Sequence, residues 1–349
     1  MIYKDKYKLF IMGKNKKQKV KIYPFVSVCT PTFNRRPFVQ TMFECFRNQT
    51  YPKDRIEWII VDDGTDKIKD LVNSSDIPQI KYFSLNEKMT LGAKRNFMHS
   101  KTTGSIIVYM DDDDYYPPER IEHAVDKLQK NRNALCAGSS ELYIYFKHIQ
   151  TMYQCGPYGP NHATAGTFAF RKELLNITKY NENASLAEEK EFLHDYTIPF
   201  VQLDPIKTIL VFSHNHNTFD KKRMLVNANP NFTKPSDKTV EMFIKHENEK
   251  NIKKFFLEDI DEKLDKYEQG LPAMKPDVLK QIVELEEKRK KAMEEKNTNP
   301  ENFTVQINGG PPEKLNIQNA IKIIQIQAQD IQKLKDRIEE LEKHINHNH

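Results

Sequence analysis

Four consecutive aspartates, Asp111-Asp112-Asp113-Asp114, close the apolar run Ser105-Ile106-Ile107-Val108-Tyr109-Met110. Carboxylates this close repel one another unless a cation or hydrogen-bond donors stand among them. A hard divalent ion bridging carboxylates to a diphosphate would supply that balance. A second acidic pair, Asp62-Asp63, ends the apolar run Trp58-Ile59-Ile60-Val61 and precedes Gly64. His214-Asn215-His216-Asn217-Thr218 follows another apolar run, and imidazole in a His-x-His pair suits Mn2+ better than Mg2+. Each cluster also has a plain structural reading: an acidic turn before Pro117-Pro118, a turn cap before Gly64, a structural histidine.

Such groups need a scaffold that gathers strand ends. Across residues 25–212, short apolar runs alternate with helical spacing, as in parallel α/β folds. Residues 25–30 read as a first strand stopped by Pro31, 58–61 as a second and 105–110 as a third. Between the first two, residues 37–49 carry helical spacing, with Phe38, Met42, Cys45 and Phe46 on one face. Residues 142–146 and 208–212 are further strand candidates. In an open parallel sheet, ligands bind beyond the carboxyl ends of the strands, which is where the acidic clusters fall.

Composition narrows the setting. The net charge is +5 with 30% charged residues, too mild by itself to argue for nucleic acid. The basic stretch Lys14-Asn15-Lys16-Lys17-Gln18-Lys19 reads as a solvated lead-in. Cys29, Cys45, Cys136 and Cys155 show no CxxC or metal-finger spacing and are expected to be free thiols in a reducing compartment. No stretch approaches the roughly 18 apolar residues of a membrane span, and residues 1–11 lack a signal peptide's apolar segment. The expectation is a cytoplasmic protein with no integral membrane segment.

Four motifs occur in a specific order. Pro31-Thr32-Phe33-Asn34-Arg35 follows the first strand and Asp62-Asp63-Gly64-Thr65 the second. Gly92-Ala93-Lys94-Arg95-Asn96 precedes the third, which ends on Asp111 to Asp114. Together they resemble family 2 glycosyltransferases of the GT-A fold, over residues 22–220. The resemblance implies a Rossmann-like α/β domain with a mostly parallel central sheet flanked by helices. It implies that Pro31, Thr32, Phe33 and Arg35, with Asp63, hold the nucleotide, UDP being the usual carrier. Arg95 would lie near the diphosphate, with Lys94 and Lys88 as further candidates. Aligning Pro118 with the proline after the family's DxD motif makes Asp113 the ligand of Mn2+ or Mg2+ and turns Asp112 or Asp111 to the ribose, a register open by one residue.

Ala187-Glu188-Glu189-Lys190-Glu191-Phe192 resembles the family's Glu-Asp motif, which offers Glu189 as catalytic base and Glu188 as the alternative. His214 and Asn217 match an H-x-x-N stretch that in relatives closes over metal and diphosphate, and His216 is a second candidate metal ligand. Residues 156–170 sit where relatives build the acceptor pocket, with Tyr158, His162 and Thr167 as candidates. A Q-x-x-R-W motif is missing, which argues against a processive synthase. The implied activity is inverting, nonprocessive transfer of a hexosyl or N-acetylhexosaminyl group from a UDP-sugar to a hydroxyl of a protein or glycan. Three rivals stay open: a retaining enzyme, a sugar nucleotidyltransferase lacking its usual Gly-rich basic loop, and an inactive GT-A-like oligomeric binding module.

The organisation reads as a basic lead-in (1–22), the GT-A domain (23–227), a charged helical extension (228–296), a linker (297–313) and a coiled-coil segment (314–349). Ile317, Ile324, Ile331, Ile338 and Ile345 fall on heptad position a, and Ala320, Gln327, Leu334 and Leu341 on d. Ile at a with Leu at d favours a parallel dimer. Ile321 and Ile323 at e and g widen the apolar face, so trimers and tetramers remain open.

Overall fold

The computed structural model describes residues 21–185, 189–226, 228–298, 304–306, 313–314 and 317–346. Contacts divide the chain into two compact units, Met1–Leu279 and Lys280–His349.

The first unit is built on two sheets. Its strands are β1 (Val26–Thr32), β2 (Ile56–Asp62), β3 (Ile80–Ser84), β4 (Ile106–Tyr109), β5 (Cys136–Gly138), β6 (Leu142–Phe146), β7 (Thr151–Cys155), β8 (Ala169–Arg171), β9 (Phe200–Gln202), β10 (Leu210–Ser213) and β11 (Thr233–Pro235). The central sheet runs β3-β2-β1-β4-β8-β5-β9. Pairs β2–β3, β1–β2, β1–β4 and β5–β9 are parallel, and only β8 runs against its two neighbours. The smaller sheet has the order β10-β6-β7-β11. The α/β expectation, with a mostly parallel central sheet, is borne out.

Period-two alternation in the strands explains why both sheet faces are covered. Val26, Val28, Trp58, Ile60, Ile106 and Val108 point into one core; Cys29, Ile59, Val61, Ile107 and Tyr109 point into the other. Helices α1 (Val39–Arg47) and α4 (Arg120–Lys130) cover the first face with Met42, Phe46, Ile121, Val125 and Leu128. Between β2 and β4 the chain also forms α2 (Lys69–Asn73) and α3 (Leu91–Lys101). Met98 of α3 packs into the second core. Trp58 shows how tightly the first core is specified. Its ring stacks on Phe46 with centroids 4.3 Å apart, and its Nε1 donates to Thr30 Oγ1 at 2.9 Å.

Residues 238–269 read as one charged helical pattern, and the structure has a short helix Val240–Phe243 followed by a helical run Lys250–Asp265 whose turn Phe255–Asp259 is π-helical. They bury Val240, Phe243, Ile252, Phe255, Phe256, Ile260 and Leu264 in the first core. The part of this charged stretch up to Leu279 therefore belongs to the first unit.

In the second unit, Thr304–Val305 pairs antiparallel with Glu313–Lys314 inside the stretch expected to be a linker. The terminal helix Ile317–Asn346 is 30 residues long. Among the described residues no helix is long and apolar enough to cross a membrane. All four cysteines are buried and free.

Candidate active site

Parallel register brings the polar strand ends together. Thr32 of β1 lies beside Asp62 of β2, and Cys29 beside Tyr109 of β4, so the Pro31-to-Arg35 turn, Asp63 and the aspartate run emerge at one edge. A cavity of about 180 Å³ opens there. Pro31, Thr32, Phe33 and Arg35 line it from the turn after β1, and Leu91, Lys94 and Arg95 from the first turns of α3. Asp111, Asp112 and Asp113 come from the end of β4, and Thr218 and Lys275 from later segments.

The turn after β1 is held by Asn34, whose φ of 52° is one that asparagine tolerates. Its Oδ1 accepts from the Thr65 and Asp66 amides at 2.7 and 3.0 Å. Asp62 is occupied in holding the turn after β2, accepting from the Gly64 and Ile68 amides and from the Tyr82 hydroxyl at 2.6 Å. Asp63 is buried, accepting from the Met89 amide at 2.7 Å and from the Lys94 ammonium. The Asp63 side chain is wholly buried and does not line the cavity.

At the head of α3, Thr90 caps the helix by accepting from the Ala93 amide at 3.2 Å. Its Gly92 and Ala93 amides are taken by the Ala184 carbonyl and by Thr90, so what the helix offers the cavity is Leu91, Lys94 and Arg95. The Arg95 guanidinium is buried 4.4 Å from the Tyr109 ring centroid and 5.4 Å from that of Tyr180. Phe33 is approached by the ammonium groups of Lys88, Lys94 and Lys275 at 5.5, 5.9 and 5.7 Å.

Arg35 faces the aspartates, with Nε 3.6 Å from Asp112 Oδ1 and Nη2 3.4 Å from Asp113 Oδ2. His214 Nε2 is 3.6 Å from the same Asp113 oxygen. Burial and then the charge of Asp113 push the Asp112 and Asp114 carboxyls above their ordinary range. Burial works the same way on Asp113, but Arg35 and then His214 outweigh it and hold that carboxyl down. Burial brings the His214 imidazole down to about 4, so it is neutral at pH 7. Asp114 Oδ1 and His214 Nδ1 are buried without a hydrogen-bond partner among the described residues. Crowded carboxylates beside a neutral imidazole are the hard, mixed oxygen–nitrogen donor types that Mn2+ or Mg2+ takes. To join them, His214 Nε2 would have to give up the 2.8 Å bond it receives from Asn217 Nδ2. Among the described residues, no three His, Cys, Asp or Glu side chains converge as a preformed metal cluster.

The predicted residues separate on inspection. Asp113 and His214 are brought together, and Asn217 holds His214 by accepting its amide proton at 2.8 Å. His216 is buried against Gly270 and Tyr267. Glu189 opens α5 (Glu189–Phe192), while Glu188 lies outside the described residues. The segment leading to them is docked on α3 through the Gly92 amide, which donates to the Ala184 carbonyl at 2.9 Å. Tyr158, on a separate cavity, stacks on Phe232 at 5.4 Å and tilts against His162 at 4.9 Å.

Sequence reasoning missed Arg120, Tyr116 and Lys275. Arg120 is wholly buried, and its Nη2 donates to the carbonyls of Tyr109, Thr167 and Phe168 at 3.2, 2.8 and 2.8 Å. Tyr116 accepts from the Asp111 amide at 2.8 Å and donates to the Gly166 carbonyl at 3.1 Å. Gly166 also leaves room for the Asp111 carboxylate, since a Cβ there would stand 2.7 Å from Asp111 Oδ2. These groups fix the aspartate run from behind. Lys275 reaches the cavity itself, where burial and then Arg35 lower its ammonium to about 7. Nothing in its charged surroundings marks it in the sequence.

Residues 27–183, which carry all of this site except its late arrivals, match the profile of Glycosyl transferase family 2. That stretch is a family 2 glycosyltransferase domain. An uncharacterized glycosyltransferase of Rickettsia bellii is 30% identical over 127 residues, 34% of this chain and 18% of that protein. Glycosyltransferase AglE of Haloferax volcanii is 27% identical over 122 residues, 34% of this chain and 40% of that protein. An uncharacterized glycosyltransferase of Haemophilus influenzae is 28% identical, over 33% of this chain and 47% of that protein. The matches thus span less than half the length of each of these relatives. Among solved structures, S. aureus TarS 1-349 in complex with UDP-GlcNAc is 19% identical with a TM-score of 0.45, covering 54% of this chain and 59% of that one. Mannosyltransferase PcManGT from Pyrobaculum calidifontis, in complex with GDP-Man and Mn2+, is 17% identical with a TM-score of 0.45, covering 54% and 57%.

Proposed function

We propose that this chain transfers a sugar from a nucleoside-diphosphate sugar, UDP-linked in the first instance, to a hydroxyl of a protein or glycan, with inversion and without processivity. The observation that carries this reading is one cavity in which Asp111, Asp112 and Asp113 meet Arg35, Lys94 and Arg95 at the carboxyl edge of a family 2 domain. Acids and bases on one wall suit a ligand with a diphosphate and a ribose. Four buried free thiols support a reducing, cytoplasmic setting.

Thr32 and Phe33 would hold the base and Asp112 or Asp111 the ribose. Asp113 and His214 would hold Mn2+ or Mg2+, with His216 as a further candidate ligand. That ion, when bound, supplies positive charge to the diphosphate. As the acceptor oxygen bonds to the anomeric carbon, the bond from that carbon to the diphosphate oxygen breaks and the electron pair leaves with the diphosphate. Arg95, fixed by its two tyrosine rings, meets that developing charge without reorganising. Glu189, or Glu188 one residue earlier, takes the acceptor proton. The terminal helix joins copies of the chain as a coiled coil, a dimer first.

The test is a panel of UDP- and GDP-sugars with the full chain and Mn2+, following nucleoside-diphosphate release and the anomeric configuration of the product. Release from at least one donor is expected, with inverted product. Binding of donor without any turnover on varied acceptors would favour a binding module, and retained configuration would replace the inverting scheme.

A further inference from the structure

Lys275 lies outside the family 2 match at residues 27–183, yet it lines the same cavity as Arg35, Lys94 and Asp112. The segment that carries it is fastened to the site repeatedly. Asn34 Nδ2 donates to the Gln269 carbonyl at 2.9 Å, and Arg35 Nη1 to the Gly270 carbonyl at 3.2 Å. The Tyr267 hydroxyl donates to Asp66 Oδ2 at 2.8 Å. Asp277 accepts from Lys88 Nζ at 2.6 Å and from the Ser185 hydroxyl at 3.3 Å. At Gly270 the approach is so close that a Cβ would stand 2.6 Å from His216 Nδ1 and 3.0 Å from the Asn34 carbonyl. Position 275 is therefore set by structure on both sides of it.

The cavity's cations are employed differently. Arg35 faces Asp112 and Asp113, and Lys94 pairs with Asp63. Lys275 donates to a neutral group, Thr218 Oγ1, at 2.8 Å. An ammonium carries three N–H donors, so a single bond to a hydroxyl leaves two for a ligand. Lys275 also completes the trio of ammonium groups around Phe33, with Lys88 and Lys94. Lys88 is paired with Asp277 and Lys94 with Asp63, so of the three it is Lys275 that has no carboxylate bonded to it among the described residues.

We propose that Lys275 is a direct ligand of the donor's diphosphate, so that the donor site of this chain is completed by residues 266–277, outside its family 2 domain. This rests on the donor-site reading above. A sugar hydroxyl would be served as well by a neutral donor; a cation bonded only to a hydroxyl suits phosphate oxygens.

The experiment is calorimetric titration of the full chain, with Mn2+ present, using UDP, GDP and their nucleosides uridine and guanosine. Lys275→Met is expected to weaken diphosphate binding about tenfold or more while leaving the nucleoside affinity and the melting temperature near wild type. Lys275→Arg, which keeps the charge, should retain more affinity than Lys275→Met. Wild type that binds UDP or GDP, beside a Lys275→Met chain that binds it equally well, overturns the inference and leaves the donor-site reading standing. If the wild type binds neither nucleotide, the donor-site reading falls and takes the inference with it. Equal losses for nucleotide and nucleoside, or a lowered melting temperature in both variants, would assign Lys275 a structural role only.

Discussion

The Lys94 ammonium is shared between the Asp63 carboxylate and the Thr32 carbonyl, 3.2 Å away, with both side chains buried. One cation thereby ties α3 to the ends of β1 and β2. Removing one partner of such a pair leaves the other charge buried and uncompensated. We predict that Lys94→Met costs about 3 kcal/mol of folding stability, measured by urea unfolding, with loss of nucleotide binding. A variant as stable as wild type would mean that water reaches Asp63 and that the pair is not a strut.

The same pair shows what the sequence hid. Strand ends, their order and the acidic clusters were legible because apolar runs stop abruptly at Pro31, Asp62 and Asp111. Asp63 and Lys94 each read as ligand contacts, and nothing in their spacing of 31 residues says that they face one another. The packing of residues 240–264 was hidden by their charge, and the π-helical turn Phe255–Asp259 shifts the apolar face partway along. Lys275 was invisible for a further reason: its role depends on where Gly270 lets the chain come close.

Asp113 stands between Arg35 and His214, at 3.4 and 3.6 Å. Asp113→Ala is expected to abolish transfer and Mn2+-dependent nucleotide binding while the fold survives. EDTA should have the same effect on the wild type, reversed by added Mn2+. Transfer that persists in the variant, or in EDTA, would remove the metal assignment.

Glu189 begins α5, directly after the residue that is its alternative. Glu189→Gln should lower kcat by at least about a hundredfold with donor affinity kept, as loss of a general base does. A crippled Glu188→Gln beside a normal Glu189→Gln would shift the role by one residue. Single-turnover rates at saturating donor separate the two.

Glu57 offers a pH test away from the cavity. It is 3% exposed, and accepts from Lys81 Nζ at 2.6 Å, from Ser27, and from the Thr103 hydroxyl at 2.9 Å. Burial raises its pKa, but Lys81, Ser27 and Thr103 outweigh that and bring it from 4.5 to about 2. A depressed carboxyl contributes stability that is present above the unfolded value, about 4.5, and is lost as pH falls through the folded value, about 2. Glu57→Gln should lower stability at pH 7, and progressively less between pH 4.5 and 2. A stability difference independent of pH over that window would contradict the assignment.

The terminal helix makes a prediction that needs no family. Its 30 residues form a rod of about 45 Å, and Ile324, Ile331, Leu334, Ile338 and Leu341 lie along it between 46% and 65% exposed. A stripe of that length left in water is an association surface. The heptad supplies its partner: in a parallel pair Ile at a packs against a and Leu at d against d of a second copy, and Gln327 at d weakens the seam once while fixing its register. The full chain is therefore expected to be a dimer at micromolar concentration, with trimer or tetramer as the other outcomes of a widened face at Ile321 and Ile323. Truncation at Gly309 removes the seam and should give a monomer that still binds and turns over donor, because every residue assigned to the site precedes Leu279. Ile331→Asp, placing a charge in the middle of the stripe, should dissociate the full chain without touching turnover. Light scattering on the three proteins decides it: a monomeric wild type defeats the coiled coil, and an oligomeric truncation puts the interface in the first unit.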